Sequence, residues 1–427
     1  MNIILLFFYN VFIYPILFFT ALIISVFDKK LRKSMIGRFE TNNILKNYFN
    51  KINSKSLVYW FHSSSLGEFY QIKPVLEDLK ELNKDAKCII SFSSPSGFEN
   101  VFCDAIDLKF YIPFDFPWTI SRILKIINPN KIIFASYDIW PNLVLMSRAI
   151  GIQTILFSVR VQEGSIKKKI FFRNIYRFLY GSITSLFSIS TKDMKGVCEI
   201  LANHQGPELK VIGNPRYDAV MRDAIKFREM DSDDLSQRDF RIIIGSAHDY
   251  EEKYLIPALV DLMNLNSNLK VLYAPHEPFE IEIERIKSLF KENGFVAKIH
   301  RNKKNLSLPS DQLLILGVVG VLSKLYWQCR IAYVGGGHST GVHNVMEPAV
   351  ARLPVLFGPK YHNSHEAEEL LSNDGGFCVT NKSEFLDKTK RLINDSHYLK
   401  MTSLSASDVI YQNLGSSIKM ARNVLND

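Results

Sequence analysis

The chain has 427 residues, 47% of them hydrophobic, and a formal net charge of +9 with a pI near 9.1. The basic balance fits nucleic acid, an anionic membrane, an anionic substrate or mere solubility, and no zinc-finger or RNP-type motif favours nucleic acid. Five dispersed cysteines, Cys88, Cys103, Cys198, Cys329 and Cys378, with no CxxC pair, argue against a disulfide framework or a cysteine-rich zinc site and fit a reducing compartment.

Asn2 to Phe27 carries no charged side chain. About 20 helical residues cross a hydrocarbon core, so the run is long enough to anchor the chain. A signal peptide would place its basic residues first. Here Lys29, Lys30, Arg32, Lys33 and Arg38 follow, which puts the remaining 400 residues on the cytoplasmic side. Pro15, Asn10 and two tyrosines interrupt the run and would suit a kinked or shallow helix as well as a spanning one.

Four hundred residues exceed what one core usually serves, so two domains are expected. Leu57–Phe61 reads as a strand, Pro74–Leu82 as a helix, and Cys88–Phe92, Lys131–Phe134, Thr154–Phe157 and Leu186–Ile189 as further strands. Continuous apolar strands alternating with helices mean a parallel sheet covered on both faces. Residues 224–239 are charged and read as a linker. The alternation then restarts with Arg241–Ile244, Leu269–Tyr273, Leu313–Leu316, Ile331–Val334 and Val355–Phe357. The predicted organisation is an anchor over 1–27, an N-terminal doubly wound domain over 28–223 and a C-terminal one over 240–400. A helix over 401–427 would pack back on the first domain. Two Rossmann-like α/β domains present their strand ends to a cleft, where ligands of open α/β sheets bind.

Three segments at strand ends could carry chemistry. His62-Ser63-Ser64-Ser65-Leu66-Gly67-Glu68 ends the first strand, and Glu68 falls at a helix N-terminus. The helix field there favours the ionised carboxylate that a general base needs; an ordinary dipole-complementing glutamate is the bland alternative. Gly213-Asn214-Pro215-Arg216-Tyr217-Asp218 offers Arg216 to a phosphate or carboxylate, or is an exposed turn with an ordinary arginine. Gly335-Gly336-Gly337, followed by His343-Asn344-Val345-Met346-Glu347-Pro348, would let the backbone approach a ligand. A helix starting near Asn344 would offer N–H groups to an anion, and Glu347 could bind a ribose diol. Structure alone would explain one glycine, not three. It is no dinucleotide fingerprint, because position 340 is threonine. Two false leads are Asp231-Ser232-Asp233, a DxD pattern in the hydrophilic linker, and the histidines His338, His343, His362 and His365, which lack metal-ligand spacing.

These segments, in this order, resemble the Kdo transferases, which attach 3-deoxy-D-manno-oct-2-ulosonic acid to lipid A precursors. The resemblance covers nearly the whole chain. It runs through Gly37-Arg38, the HSSSLGE loop, Tyr111-Ile112-Pro113-Phe114-Asp115, Ile139-Trp140-Pro141-Asn142 and GNPRYD. It continues with Gly245-Ser246-Ala247-His248, Ala274-Pro275-His276, Leu325-Tyr326, the HNVMEPA segment and Pro354 to Pro359. It implies the GT-B fold, CMP-Kdo as donor, inversion, no metal cofactor, and a place on the cytoplasmic face of a bacterial inner membrane. It further implies that Glu68 accepts the acceptor's proton and that Arg216 stabilises charge at the reacting centre. Pro275, His276, the turn Val319-Gly320-Val321, and Asn344, Val345, Met346 and Glu347 would bind CMP. The chain departs from the family at Ser136, where many members carry the first Glu of a Glu-x-Glu pair. Asp138 stands for the second. Val342 and Val321 replace a glycine and a glutamate, and Ser158-Val159-Arg160 replaces Asn-Ala-Arg. Competing readings are a GT-B enzyme using a nucleotide-diphosphate sugar, and a membrane-bound homologue that binds without catalysing.

Overall fold

The computed structural model describes residues 2–52, 56–202, 206–227, 235–303 and 307–426. Much of the charged 224–239 segment, including Asp231-Ser232-Asp233, lies outside them. The chain divides into two compact units, residues 1–219 with 415–427, and residues 220–414.

The first unit holds seven strands: β1 (Val58–Ser63), β2 (Lys87–Phe92), β3 (Leu108–Tyr111), β4 (Lys131–Ala135), β5 (Gln153–Val159), β6 (Ser185–Ser188) and β7 (Glu208–Val211). They form one parallel sheet in the order β3-β2-β1-β4-β5-β6-β7. The order reverses between β1 and β4, and a crevice opens at such a point beyond the carboxyl ends of the strands. Both faces are covered. Trp60, Ile132, Phe134 and Leu156 pack into one core, and Phe61, Ile90, Ile133 and Phe157 into the other. The helix after β1 begins at Leu66, not Pro74, because Ser65 caps it by accepting the Glu68 N–H; Pro74 sits inside it.

The second unit repeats the plan with β8 (Arg241–Ala247), β9 (Lys270–Pro275), β10 (Lys298–His300), β11 (Leu313–Leu316), β12 (Ile331–Val334), β13 (Val355–Phe357) and β14 (Gly376–Cys378). Its parallel sheet has the order β10-β11-β9-β8-β12-β13-β14, so its reversal lies between β8 and β12. Toward the C-terminus there are two helices, Ser396–Gln412 and Ser416–Leu425. Only the second belongs to the first unit, where it packs on the helix Leu66–Leu82. Asp218 fastens its start by accepting from the Gly415 N–H (2.7 Å) and the Ser417 N–H (2.9 Å).

The N-terminal run is helical. Ile4–Ile24 has a mean hydropathy of 2.1 and is long and apolar enough to cross a membrane. Residues Tyr9–Ile13 form a π-helical turn, in which the Tyr14 N–H reaches the Tyr9 carbonyl. Pro15 supplies the reason: its ring would collide with the Val11 carbonyl in a regular α-turn, and the wider turn relieves this. The polar side chains of this turn face the first unit. Tyr9 Oη donates to Asp115 Oδ2 (2.8 Å), Asn10 and Asn142 bond to each other, and Tyr14 Oη accepts from the Asp115 N–H (2.7 Å). Ile4, Phe7, Ile16 and Ile23 stay exposed.

The next helix, Lys29–Phe49, lies close on β3. A Cβ at Gly37 would fall 2.1 Å from the Tyr111 ring, which is itself stacked on Phe98 with centroids 4.4 Å apart. Gly37→Ala is therefore expected to cost about 1–3 kcal/mol, read as a lower denaturant midpoint. An unchanged midpoint would mean that the two rings move aside freely.

Candidate active site

In the first unit, the loops after β1 and β4 meet the crevice where the strand order reverses. Glu68 is 5% exposed. Its Oε2 accepts from the Ser64 N–H (2.6 Å) and from the Ser64 hydroxyl, while Oε1 is buried without a hydrogen-bond partner among the described residues. A buried, unpartnered carboxyl oxygen is costly for folding, and such atoms call for a functional explanation. Burial pushes the Glu68 carboxyl up, and the Ser64 bonds oppose it; nearby Asp138 adds to the rise and His62 works against it. This corrects the expectation that its helix position favours the ionised form, since desolvation outweighs the helix field.

Asp138 follows β4. Its Oδ2 lies 2.7 Å from His62 Nε2, 3.4 Å from Trp140 Nε1 and 3.5 Å from Ser93 Oγ. Trp60 Nε1 donates to Ser91 Oγ (2.8 Å), which lies 2.9 Å from His62 Nδ1, and Trp140 Nε1 donates toward His62 Nε2 (3.1 Å) as well as toward Asp138. Burial raises the Asp138 carboxyl, but the His62 bond and charge, Trp140 and Arg38 prevail and hold it below its ordinary range. Two carboxyls at one crevice thus have environments that push them apart, one toward accepting a proton and one toward staying ionised. His62 escaped notice as a site residue in the sequence; a histidine inside an otherwise apolar strand was its only signal.

Ser136, at the family's first Glu position, adopts a left-handed φ of +62° and donates to Gln71 Oε1 (2.9 Å). Such backbone strain in a non-glycine residue concentrates at functional sites. Arg216 begins the helix Arg216–Ile225 after β7, at the sheet edge, three strand positions from β4. A cavity of about 850 Å³ also belongs to this unit. Leu17, Phe18, Met35 and Phe114 give it apolar walls, and Arg38, Lys30 and Asp138 give it polar ones. Arg38 stacks over Trp140, 5.2 Å from the ring centroid.

In the second unit, the ends of three adjacent strands bring histidines together. His248 follows β8, His276 follows β9, and His343 lies in the loop after β12. Glu251 holds this arrangement, its Oε2 accepting from the His248 N–H (3.0 Å) and the Gly336 N–H (3.1 Å). His248 and His343 meet Nε2 to Nε2 at 2.9 Å, and the His276 ring stacks over both, with centroids at 4.2 and 4.7 Å. Burial and then the neighbouring imidazoles push His343 down to about 4, and burial followed by His276 lowers His248. Their ligand atoms lie within 4.8 Å of one another. The planes are nearly parallel, 14–19° apart, so the in-plane lone pairs do not converge on one point. Of the four histidines weighed from sequence, only His343 joins this group. His338 contacts Tyr254, His362 pairs with Glu368 and His365 with Glu369.

The glycine run corrects a second expectation, because all three glycines have packing reasons. A Cβ would meet the Ser246 carbonyl at Gly335, the Gly341 carbonyl at Gly336 and the Gly358 backbone at Gly337, each within 2.5 Å. The helix nearby is also shorter and starts later than expected, at Met346–Val350. The Met346 N–H is already taken by Asn344 Oδ1 (3.1 Å), whose amide donates to Glu347 Oε1 (2.9 Å). Val345, Met346 and Val321 are buried, so only their backbones can meet a ligand; His276 and Val319 are exposed. Gly320 takes φ +82° at an open turn, and Pro275 ends β9.

Two doubly wound parallel units, with a carboxylate pair at the crevice of one and a polar loop cluster at that of the other, make a fold of GT-B type. Solved structures share the fold. The UDP-GlcNAc 2-epimerase of Neisseria meningitidis matches with a TM-score of 0.59 at 14% identity, covering 84% of this chain and 99% of its own. A glycosyltransferase of Rickettsia africae matches at 0.54 and 13%, covering 87% and 97%. Residues 38–219 match the family model described as 3-Deoxy-D-manno-octulosonic-acid transferase (kdotransferase). The 3-deoxy-D-manno-octulosonic acid transferase of Aquifex aeolicus is 25% identical over 85% of this chain and 94% of its own length. That of Haemophilus influenzae is 24% identical over 83% and 84%. The chain is thus a relative of the Kdo transferases, and its residues 38–219 carry their family domain.

Proposed function

We propose that the chain transfers Kdo from CMP-Kdo to a lipid A precursor of the lipid IVA type, with inversion and without a metal. The observation that carries this reading is the buried, unpartnered Oε1 of Glu68 beside an ionised Asp138, in the domain shared with Kdo transferases. Glu68 takes the proton of an incoming sugar hydroxyl. The hydroxyl oxygen bonds to the anomeric carbon as the bond from that carbon to the phosphate breaks, and CMP leaves with the electron pair. Asp138 stays ionised through His62 and keeps Glu68 basic, while Arg216 and the strand-end loops of the second unit serve the anionic donor.

The acceptor reading draws on the cavity beside the N-terminal helix, whose apolar walls suit acyl chains and whose Arg38 and Lys30 suit phosphates. The helix itself favours attachment in the interface over a full span. Tyr9, Asn10 and Tyr14, near its middle, bond to Asp115 and Asn142 of the folded unit, so that part of the helix stays against the protein. The Lys and Arg residues after it set the attachment on the cytoplasmic face of the inner membrane.

The test is the purified full chain with CMP-Kdo and lipid IVA, read by product mass. Kdo-bearing lipid is expected, at an unchanged rate in EDTA. Transfer only from a UDP- or GDP-sugar, with thermal stabilisation by that nucleotide and not by CMP, would replace this reading with the nucleotide-diphosphate one. A rate abolished by EDTA would refute metal independence.

A further inference from the structure

We propose that Ile166–Arg173 is a second membrane contact, which takes the surface of a bilayer carrying anionic headgroups. The inference rests on the reading above that the chain works at a membrane. The segment follows β5 as a short 3-10 turn, Ile166–Lys168, and then opens the helix Ile170–Ser182. It ought to hide its apolar side chains, yet Ile166, Ile170 and Phe171 are 51%, 77% and 69% exposed, and Phe172 adds its ring edge-on to Phe171. An exposed apolar cluster on a soluble surface marks an interaction site.

The charges around it choose the partner. Between Glu163 and Arg177 stand five basic side chains, Lys167, Lys168, Lys169, Arg173 and Arg177, against the single acid Glu163. Lys167 turns inward, donating to the Arg160 carbonyl and Tyr180 Oη, and so clamps the segment to the unit. Arg177 likewise serves the fold through the Ile200 carbonyl. Lys168 pairs with Glu199 of the neighbouring helix. Lys169 is exposed, and Arg173 Nε is buried with no hydrogen-bond partner among the described residues. Bulky apolar tips beside lysines and an arginine suit a lipid interface, where rings enter the acyl boundary and cations meet headgroup phosphates.

Position gives the same answer. The N-terminal helix docks on Asn142, just after β4, and this segment begins just after β5, the neighbouring strand of the same sheet. The helices following those strands pack together, and Arg148 of the first donates to the Gly181 carbonyl of the second (2.6 Å). Two apolar elements thus stand at the carboxyl edge of adjacent strands in one unit. The first is uncharged and needs only hydrocarbon; the second adds a preference for negative lipid.

The experiment uses the full chain with Cys103, Cys198 and Cys378 replaced by serine. A polarity-sensitive fluorophore is placed in turn at Phe12→Cys in the N-terminal helix, Phe171→Cys, and the exposed Asn293→Cys. Vesicles are phosphatidylcholine alone or mixed with phosphatidylglycerol. The expected result is a blue shift at position 12 on both vesicles, at 171 only with phosphatidylglycerol, and at 293 on neither. Lys169→Ser is expected to raise the lipid needed at 171 about fivefold, as roughly one lysine's attraction to an anionic surface is lost. A shift at 12 with none at 171 would overturn the inference and leave the membrane reading standing. Shifts at neither would overturn both. A shift at 171 on concentrating the protein without vesicles would assign the patch to a second copy of the chain instead.

Discussion

Glu68→Gln is expected to slow transfer by about a hundredfold to ten-thousandfold, the usual worth of a positioned base. Glutamine keeps the shape, and its carbonyl oxygen can still accept from Ser64, so unfolding temperature and CMP binding should not fall with activity. The pH profile gives a second reading. The base must be deprotonated, and burial raises the Glu68 carboxyl, so the rate should fall with acid through a limb above the ordinary carboxylate range of about 4.3. Asp138 contributes to that rise, whereas His62 opposes it. Asp138→Asn should therefore move the limb to lower pH, and a limb that stays in place would refute the coupling between the two carboxyls. Undiminished turnover in Glu68→Gln would remove Glu68 from the chemistry altogether.

The repeated alternation of apolar strands and helices was legible because buried parallel strands read as unbroken runs, as in Ile331–Val334 and Leu313–Leu316. The strands that escaped, wholly or in part, all lie at sheet edges, and Leu108–Tyr111 is one of them, four residues long and only half buried. Glu208–Val211 is an edge strand with all four residues exposed, so its composition follows no burial pattern. Lys298–His300 and Gly376–Cys378 are three residues long and also lie at sheet edges, where few neighbours impose a side-chain preference. At the site, Glu68 was readable from a local pattern, a loop of small residues that ends a buried strand. His62, Ser91 and Trp60 were not, because their relation runs across two strands, and sequence spacing says nothing about which strands are neighbours. The glycines of 335–337 misled for a similar reason. Their demand for space comes from Ser246, Gly341 and Gly358, two of which lie far away in sequence.

The attachment of the N-terminal helix turns on one buried carboxylate. Asp115 is fully buried and accepts from Tyr9 Oη and the Asn142 N–H through Oδ2, and from the Leu143 N–H through Oδ1 (3.1 Å). It therefore ties the helix to the start of the helix Pro141–Ala149. Asp115→Ala would strand both N–H groups and free Tyr9. The expected loss is about 3 kcal/mol of stability, at roughly 1–3 kcal/mol for each stranded buried donor. Because the N-terminal helix forms one wall of the cavity, the same change should weaken the lipid acceptor's apparent affinity while leaving CMP binding alone. The sign of the pH dependence follows from burial, which outweighs the hydrogen bonds and pushes the Asp115 carboxyl up to about 7. An acid raised in the folded state holds a proton that the unfolded chain has released. Its contribution is fully present below the unfolded value of about 3.9 and is lost as pH rises through about 7. Stability should therefore decline across that window, and Asp115→Asn, which cannot titrate, should remove this part of the slope. Proteolysis near Lys29 and Lys30 would read the same event locally, expected to quicken as pH rises from about 4 to about 7 in the parent chain but not in Asp115→Asn. An equal slope in both proteins would show that Asp115 does not govern the docking.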